Sequence, residues 1–221
     1  MSNHVRQPDR TSAYIIQSQE EGMKRLANEL HEGISQELYS VYTGLQTLQL
    51  QLGNEEALQA YVKELSDNLL KTLQEVRVLS GELYPITLPE IGLVSSLKNY
   101  IKLYTSTFGI LIHLETEGEE GKLTEAKSLA MFRSCQESLI NIAKYADVSA
   151  ATIHLVWTDE SLLIEIKDRG KGFCMEEVKR NQRMNGLAAM IHRMGIIGGQ
   201  CDILSKEGEG SIIRLLLPFQ R

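Results

Sequence analysis

Long apolar runs are missing from this sequence. None approaches the roughly 18 to 20 residues a helix needs to cross a bilayer, so no membrane segment is expected. Met1 to Tyr14 holds no apolar stretch of the signal-peptide kind. Cysteine is scarce as well. Cys135, Cys174 and Cys201 form an odd, scattered set without metal-ligand spacing, which argues against a secreted disulfide scaffold and for a reducing, cytoplasmic setting. There is no excess of positive charge. A net charge of -6 offers no broad basic face for a phosphate backbone, so direct nucleic-acid binding is not expected. Internal repeats and low-complexity tracts are absent too. What remains is 221 residues, 43% apolar and 24% charged, the composition of a globular chain long enough to build a core without staples.

Two periodicities divide that chain. From about Ala13 to Leu83 apolar residues recur at helical spacing: Met23, Leu26, Leu30, Ile34, Leu38, Val41, Leu45, Leu48 and Leu52, then Leu58, Tyr61, Leu65, Leu69, Val76, Leu79 and Leu83. Gly53-Asn54 breaks the run, with Asn54 a plausible N-cap for the second helix. The expectation is a helical hairpin. Its stripe is broader than one hairpin can bury, so pairing with a second copy into a four-helix bundle is expected. The competing reading packs the stripe on the chain's own C-terminal half. Pro85, Pro89 and Gly92 end the helical pattern.

Beyond them helices and strands mix. Helices are expected near 94–108, 124–146 and 186–197, and strands near 110–115, 151–157, 162–167, 201–205 and 211–217. That mixture indicates a two-layer α/β domain. The fold class overall is α+β. The expected divisions are a disordered N-terminus over 1–14, the hairpin over 15–84, a linker over 85–92 and the α/β domain over 93–221.

Three features of the second half carry chemistry. Strand alternation puts Asp168 on the same face as Ile164 and Ile166. A core-facing carboxylate needs a donor. An adenine amine is one candidate, and a turn capped by the Asp itself is the plainer one. Gly170 and Gly172 follow, allowing backbone to approach a ligand closely. On the long helix Glu137, Asn141 and Lys144 fall at i, i+4 and i+7, either as a solvated face or as oxygen donors suited to Mg2+. Gly186 and Leu187 open a helix whose first amides suit a phosphate. In the first half His31 lies beside the helical seam, followed by Glu32 and Gln36. A carboxylate that takes one imidazole proton leaves the other nitrogen nucleophilic, although neighbouring helical residues do not naturally face each other.

Taken in order, these segments resemble the ATP-binding domain of the histidine kinase, gyrase and Hsp90 (GHKL) superfamily. Residues 133–146, RSCQESLINIAKYA, look like its N box, and 168–173, DRGKGF, like its first glycine box. GLAAM at 186–190 resembles the second, and Gly208 to Ser211 the last glycine turn. The segment ELHEGISQ at 29–36 resembles the phosphoacceptor motif of the histidine kinase subfamily in which the His is followed by an acid and a Gln. The resemblance implies a two-component protein-histidine kinase using ATP and Mg2+. By it, His31 accepts the γ-phosphoryl group, Glu32 acts as base and Gln36 orients water. Asn141 holds Mg2+ and Asp168 the adenine amine. Glu137, Lys144, Tyr145, Gly170, Gly172, Gly186, Leu187, Gly210 and Ser211 complete the nucleotide site. Residues 174–185 would form a short lid supplying Lys179, Arg180 and Arg183.

The implied partners are a second copy of the chain and a response-regulator receiver domain, one with a LuxR-type output domain. Tyr145 stands where the family commonly has His, Ala189 replaces a glycine and Ser211 a threonine. None of these removes Asn141, Asp168, His31 or Glu32, so an active kinase is expected. A nucleotide-regulated phosphatase or binding module is the main alternative. An anti-sigma serine kinase fits less well, because it gives the hairpin no purpose. About 20 residues precede the hairpin, too few for a sensor domain, so the input is expected from elsewhere.

Overall fold

The computed structural model describes residues 10–52, 55–175 and 185–219. The chain divides into two compact units, Tyr14–Ile86 and one that includes Thr87–Arg221. The expected N-cap Asn54 lies outside the described residues, as does most of the lid.

The first unit is a helical hairpin. Helix α1 (Arg10–Asn28) runs through a π-helical turn, Glu29–Ile34, directly into α2 (Ser35–Gln51), and α3 (Glu56–Leu83) returns. Helix α1 thus starts before the residues that periodicity marked, and residues 10–14, expected to be disordered, are helical. Inside the hairpin the buried positions are mostly small: Ala27, Ser35, Val62, Ser66, Leu73 and Ser80. Small side chains let the two rods approach closely, and the larger apolar residues are left outside. Leu26 is 55% exposed, Val41 56%, Tyr61 58% and Leu79 52%, far more than a lone hairpin would show if its stripe were spent on itself.

The second unit begins with a short helical turn where a linker was expected. Helix α4 (Leu88–Phe108) carries Pro89 in its first turn, where a missing N–H costs nothing. It then breaks at Gly92, whose φ of +80° favours glycine. The helix restarts at once. Leu93 and Val94 donate their N–H groups to Glu120 Oε1, at 2.7 and 3.1 Å, a carboxylate cap on a new helix start.

Strand β1 (Leu111–Glu117) leads to α5 (Glu125–Asn141), capped by Thr124 and continued by a second π-helical turn, Ile142–Ala146. Then come β2 (Ala150–Trp157), β3 (Ser161–Asp168), α6 (Asn185–Ile196), β4 (Gln200–Lys206) and β5 (Gly210–Pro218). The sheet order is β1-β2-β3-β5-β4, with β1 parallel to β2 and every other pair antiparallel. Alternation turns Ile153, Leu155, Ile164, Ile166, Ile213 and Leu215 to one face. Leu97 and Tyr104 of α4, Met131, Cys135 and Leu139 of α5, and Met190 and Met194 of α6 complete one core with them. This is the two-layer α+β architecture expected from the sequence, and all five strands lie within two residues of their anticipated ends.

Burial governs the thiols. It pushes Cys135 up to about 12, and burial helped by the Asp202 carboxylate does the same to Cys201. The thiolate is the reactive form. Iodoacetamide at about pH 8 is therefore expected to spare Cys135 and Cys201 in the folded chain and to modify both once it is unfolded. Peptide mass spectrometry distinguishes the two states.

Candidate active site

The second unit holds a cavity of about 290 Å3 between the end of α5, the C-terminal end of β3, the start of β5 and α6. That is near the lower end of the range for small-molecule sites. Its apolar lining comes from Ile142, Ala146, Ile166, Phe173, Leu187 and Ile213. Its polar groups are few: Ser138, Asn141, Asp168, Ser211 and the largely exposed Tyr145.

Asp168 closes strand β3 and is only 4% exposed. Its Oδ1 accepts the Gly170 N–H at 2.8 Å, and its Oδ2 accepts the Ser211 hydroxyl. Register explains the second bond, because Asp168 sits directly opposite Ser211 across the β3–β5 pair. The turn-capping reading thus holds, and it does not use up the carboxylate. Each carboxylate oxygen keeps a lone pair for a further donor.

Close backbone approach surrounds this carboxylate. A Cβ on Gly170 would land on the Ala146 carbonyl, one on Gly210 on the Asp168 carbonyl, and one on Gly172 on the Lys206 carbonyl. Gly172 also has φ +59° and Gly210 φ +87°. The loop is tied down from both sides. Lys171 N–H donates to Ala146 O, Gly208 N–H to Lys171 O, and Phe173 N–H to the Ser205 hydroxyl, which donates in turn to Gly210 O. Outside the cavity, Lys171 and Asp147 form an ion pair at 2.8 Å, and this bond holds the Asp147 carboxyl below its ordinary range.

Asn141 ends α5 on the cavity wall, its Nδ2 facing Glu137 Oε1 at 3.4 Å. The amide oxygen is then the atom left for a hard cation. Glu137 stands next to the start of α6, where a Cβ on Gly186 would strike its carboxylate. The π-helical turn after Asn141 corrects one expectation. With an i→i+5 turn the α-helical phase no longer holds. Tyr145 reaches the cavity and Lys144 does not border it. Asn141, Tyr145, Asp168, Gly172, Leu187 and Ser211 thus meet in one place, while Glu137, Gly170, Gly186 and Gly210 stand just behind it. Lys179, Arg180 and Arg183 lie outside the described residues. Sequence reasoning passed over Ser138, Ile142, Ile166, Phe173 and Ile213. Of these, Ile166 was readable, since it shares the parity of Asp168.

His31 lies in the other unit, half-buried within the π-helical turn that packs on α3. Glu32 and Gln36 are exposed. Among the described residues no hydrogen bond joins these three. α-Helical spacing would set Glu32 and Gln36 one turn apart on one face beside His31, and the π turn replaces that geometry.

The structure thus combines a helical hairpin that carries His31 with an α/β sandwich that encloses a small cavity at a buried aspartate. Residues 24–88 match the sequence profile of the HisKA_3 family, described as histidine kinase. The chain is 30% identical over 204 residues to the oxygen sensor histidine kinase NreB of Staphylococcus carnosus (strain TM300), covering 92% of this chain and 58% of that protein. It is 29% identical over 208 residues to the signal transduction histidine-protein kinase/phosphatase DegS of Brevibacillus brevis, covering 93% of this chain and 53% of that one. It therefore spans little more than half the length of these relatives. The histidine kinase domain of the Erythrobacter litoralis EL346 blue-light activated histidine kinase shares the fold, with a TM-score of 0.51 at 14% identity over 83% of this chain and 94% of that one. The chain is thus similar to histidine kinases over most of its length, and its hairpin to the HisKA_3 profile. Among the described residues no helix is long and apolar enough to cross a membrane.

Gly172→Ala adds a side chain where φ is positive and backbone already fills the space. It is expected to cost about 1 to 3 kcal/mol, read by calorimetry as a lower midpoint for the sheet unit.

Proposed function

We propose that the chain is an ATP-dependent histidine autokinase that phosphorylates His31 and passes the phosphoryl group to an aspartate of a response regulator. The observation that carries this reading is the cavity, where a buried carboxylate with spare acceptor capacity and an Asn amide meet an apolar wall. That donor set fits a nucleotide with Mg2+. Asp168 would accept the adenine amine, Ile142, Ile166, Leu187 and Ile213 would cover the ring, and Asn141 would ligate the metal. Bound Mg2+ supplies charge neutralisation for the leaving phosphates.

The remaining work falls to the chain's own groups. One imidazole nitrogen of His31 takes the phosphoryl group and ADP leaves, while Glu32 takes the proton from the ring's other nitrogen. Gln36 orients water when the regulator is dephosphorylated. Phosphoryl transfer depends mostly on alignment and charge. The proposed division is a dimerisation hairpin over 15–84, a linker over 85–92 and a nucleotide-binding domain over 93–221. The outward stripe of Leu26, Val41, Tyr61 and Leu79 supports a homodimeric four-helix bundle. A cytoplasmic location and a regulator with a LuxR-type output complete the reading.

A phosphatase role has its own support in the printed description of DegS as a kinase/phosphatase and in Gln36. It would run alongside the kinase or, without autokinase activity, in its place.

With γ-labelled ATP and Mg2+ the chain is expected to acquire acid-labile, alkali-stable label, and His31→Gln none. A parent that binds ATP yet stays unlabelled would turn the reading to the phosphatase. Asp168→Asn presents one acceptor oxygen instead of two. Its affinity for a fluorescent ATP analogue is expected to fall at least about tenfold with the fold retained, the scale of a lost charge-assisted hydrogen bond. Equilibrium titration followed by circular dichroism checks both points.

A further inference from the structure

The π-helical turn at His31 has an identifiable cause. The Ser35 N–H bonds to the Leu30 carbonyl, five residues back, where an α-helix would send it to His31. The Ser35 hydroxyl donates to that same oxygen at 3.0 Å. Ser35 is 5% exposed, one of the small residues inside the hairpin. Leu30 O thus receives two donors, both from Ser35, with little water to compete. No glycine contact or proline accounts for the turn. Gly33 lies within it, but a Cβ there would meet nothing within 4 Å.

The consequence falls on His31, which lies inside the loop that this pair of bonds closes. One extra residue in a turn shifts helix phase by about 100°. Whether the turn is π or α therefore decides which way the imidazole projects relative to α2 and α3. We propose that Ser35 is a positioning residue for phosphoryl acceptance: its hydroxyl holds the turn in the i→i+5 register and so aims His31. Ser35 does not line the cavity, and its role would be to position His31 rather than to react. The proposal deepens the autokinase reading and rests on it.

Removing the hydroxyl leaves Leu30 O with the backbone donor alone, and the turn relaxes towards i→i+4. The comparison is the full chain, Ser35→Ala and Ser35→Thr, the last keeping an O–H at the same atom. In single-turnover labelling across ATP concentrations, Ser35→Ala is expected to lower the maximal rate of His31 labelling roughly tenfold, on the scale of one buried hydrogen bond plus a misaimed acceptor. The ATP concentration giving half the maximal rate should stay within about twofold, because the nucleotide cavity is untouched. Ser35→Thr should recover most of the rate. Crystal structures of parent and Ser35→Ala give the second readout, a π turn over 29–34 in the first and an α turn in the second.

Equal rates in parent and Ser35→Ala would overturn the proposal, and so would Ser35→Thr as slow as Ser35→Ala. A π turn that survives in Ser35→Ala would do the same regardless of activity. If the parent itself takes no label, the autokinase reading fails, and the structures still decide whether Ser35 sets the register.

Discussion

A carboxylate withdrawn from water has to be met by donors, and those of Asp168 come from two directions. The Gly170 amide lies two residues downstream, and the Ser211 hydroxyl arrives from a strand more than forty residues away. That demand organises the second unit. To bring Gly170 back to the carboxylate the chain must turn sharply against Ala146, which only a residue without a Cβ can do there. To bring Ser211 across, β5 must pair with β3 in the observed register. A slip of one residue would point Ser211 to the other sheet face and leave a buried charge with one donor fewer. Asp168 and Ser211, joined by one of these bonds, both line the cavity.

The helices contribute through departures from α geometry. The helical segments that carry His31 and Asn141 each contain an i→i+5 turn, one around His31 and one immediately after Asn141. Such turns are less regular than the α-helix and often occur at functional sites. At Asn141 the wide turn brings Tyr145 to the cavity and ends at Asp147, whose φ of +59° reverses the chain towards β2. The Lys171 ammonium at Asp147 steadies that reversal, and the pairing has a pH sense. Its partner holds the Asp147 carboxyl below the ordinary range. Whatever stability it lends is present above the unfolded pKa and lost as pH falls through the folded one. Asp147 is exposed, so the effect is screened.

Much of this was legible in the residues. Period 3.6 gave the hairpin, and period 2 gave five strands with near-correct ends. The parity of Ile164, Ile166 and Asp168 puts the carboxylate on the core side, where the structure has it. What escaped had a common cause, since local pattern carries no record of hydrogen-bond register. Nothing in ELHEGISQ or INIAKYA separates a π turn from an α turn, so Lys144 was put beside Asn141 and Glu32 beside Gln36 by α-helical spacing alone. The small turn at Leu88 was hidden by Pro85 and Pro89, which read as breakers although Pro89 sits where a helix tolerates it. Partnership across the chain was equally hidden: no local signal links Glu120 to Leu93, or Ser205 to Phe173 and Gly210.

The strand order β1-β2-β3-β5-β4 has a consequence in time as well as in space. The last strand in sequence is not at the sheet's edge; it is inserted between β3 and β4. Chains are made from the N-terminus onward. The hairpin of residues 14–86, built from contacts between neighbouring helices, is complete while the rest of the chain is still being synthesised. One edge of β3, whose other edge pairs with β2, and β4 must then wait for a partner until residues 210–218 emerge and pair between them, with Ser211 among the first to arrive. The hairpin is thus finished before the sheet, and the cavity beside Asp168 gains its last wall only once residues 210–218 have been made.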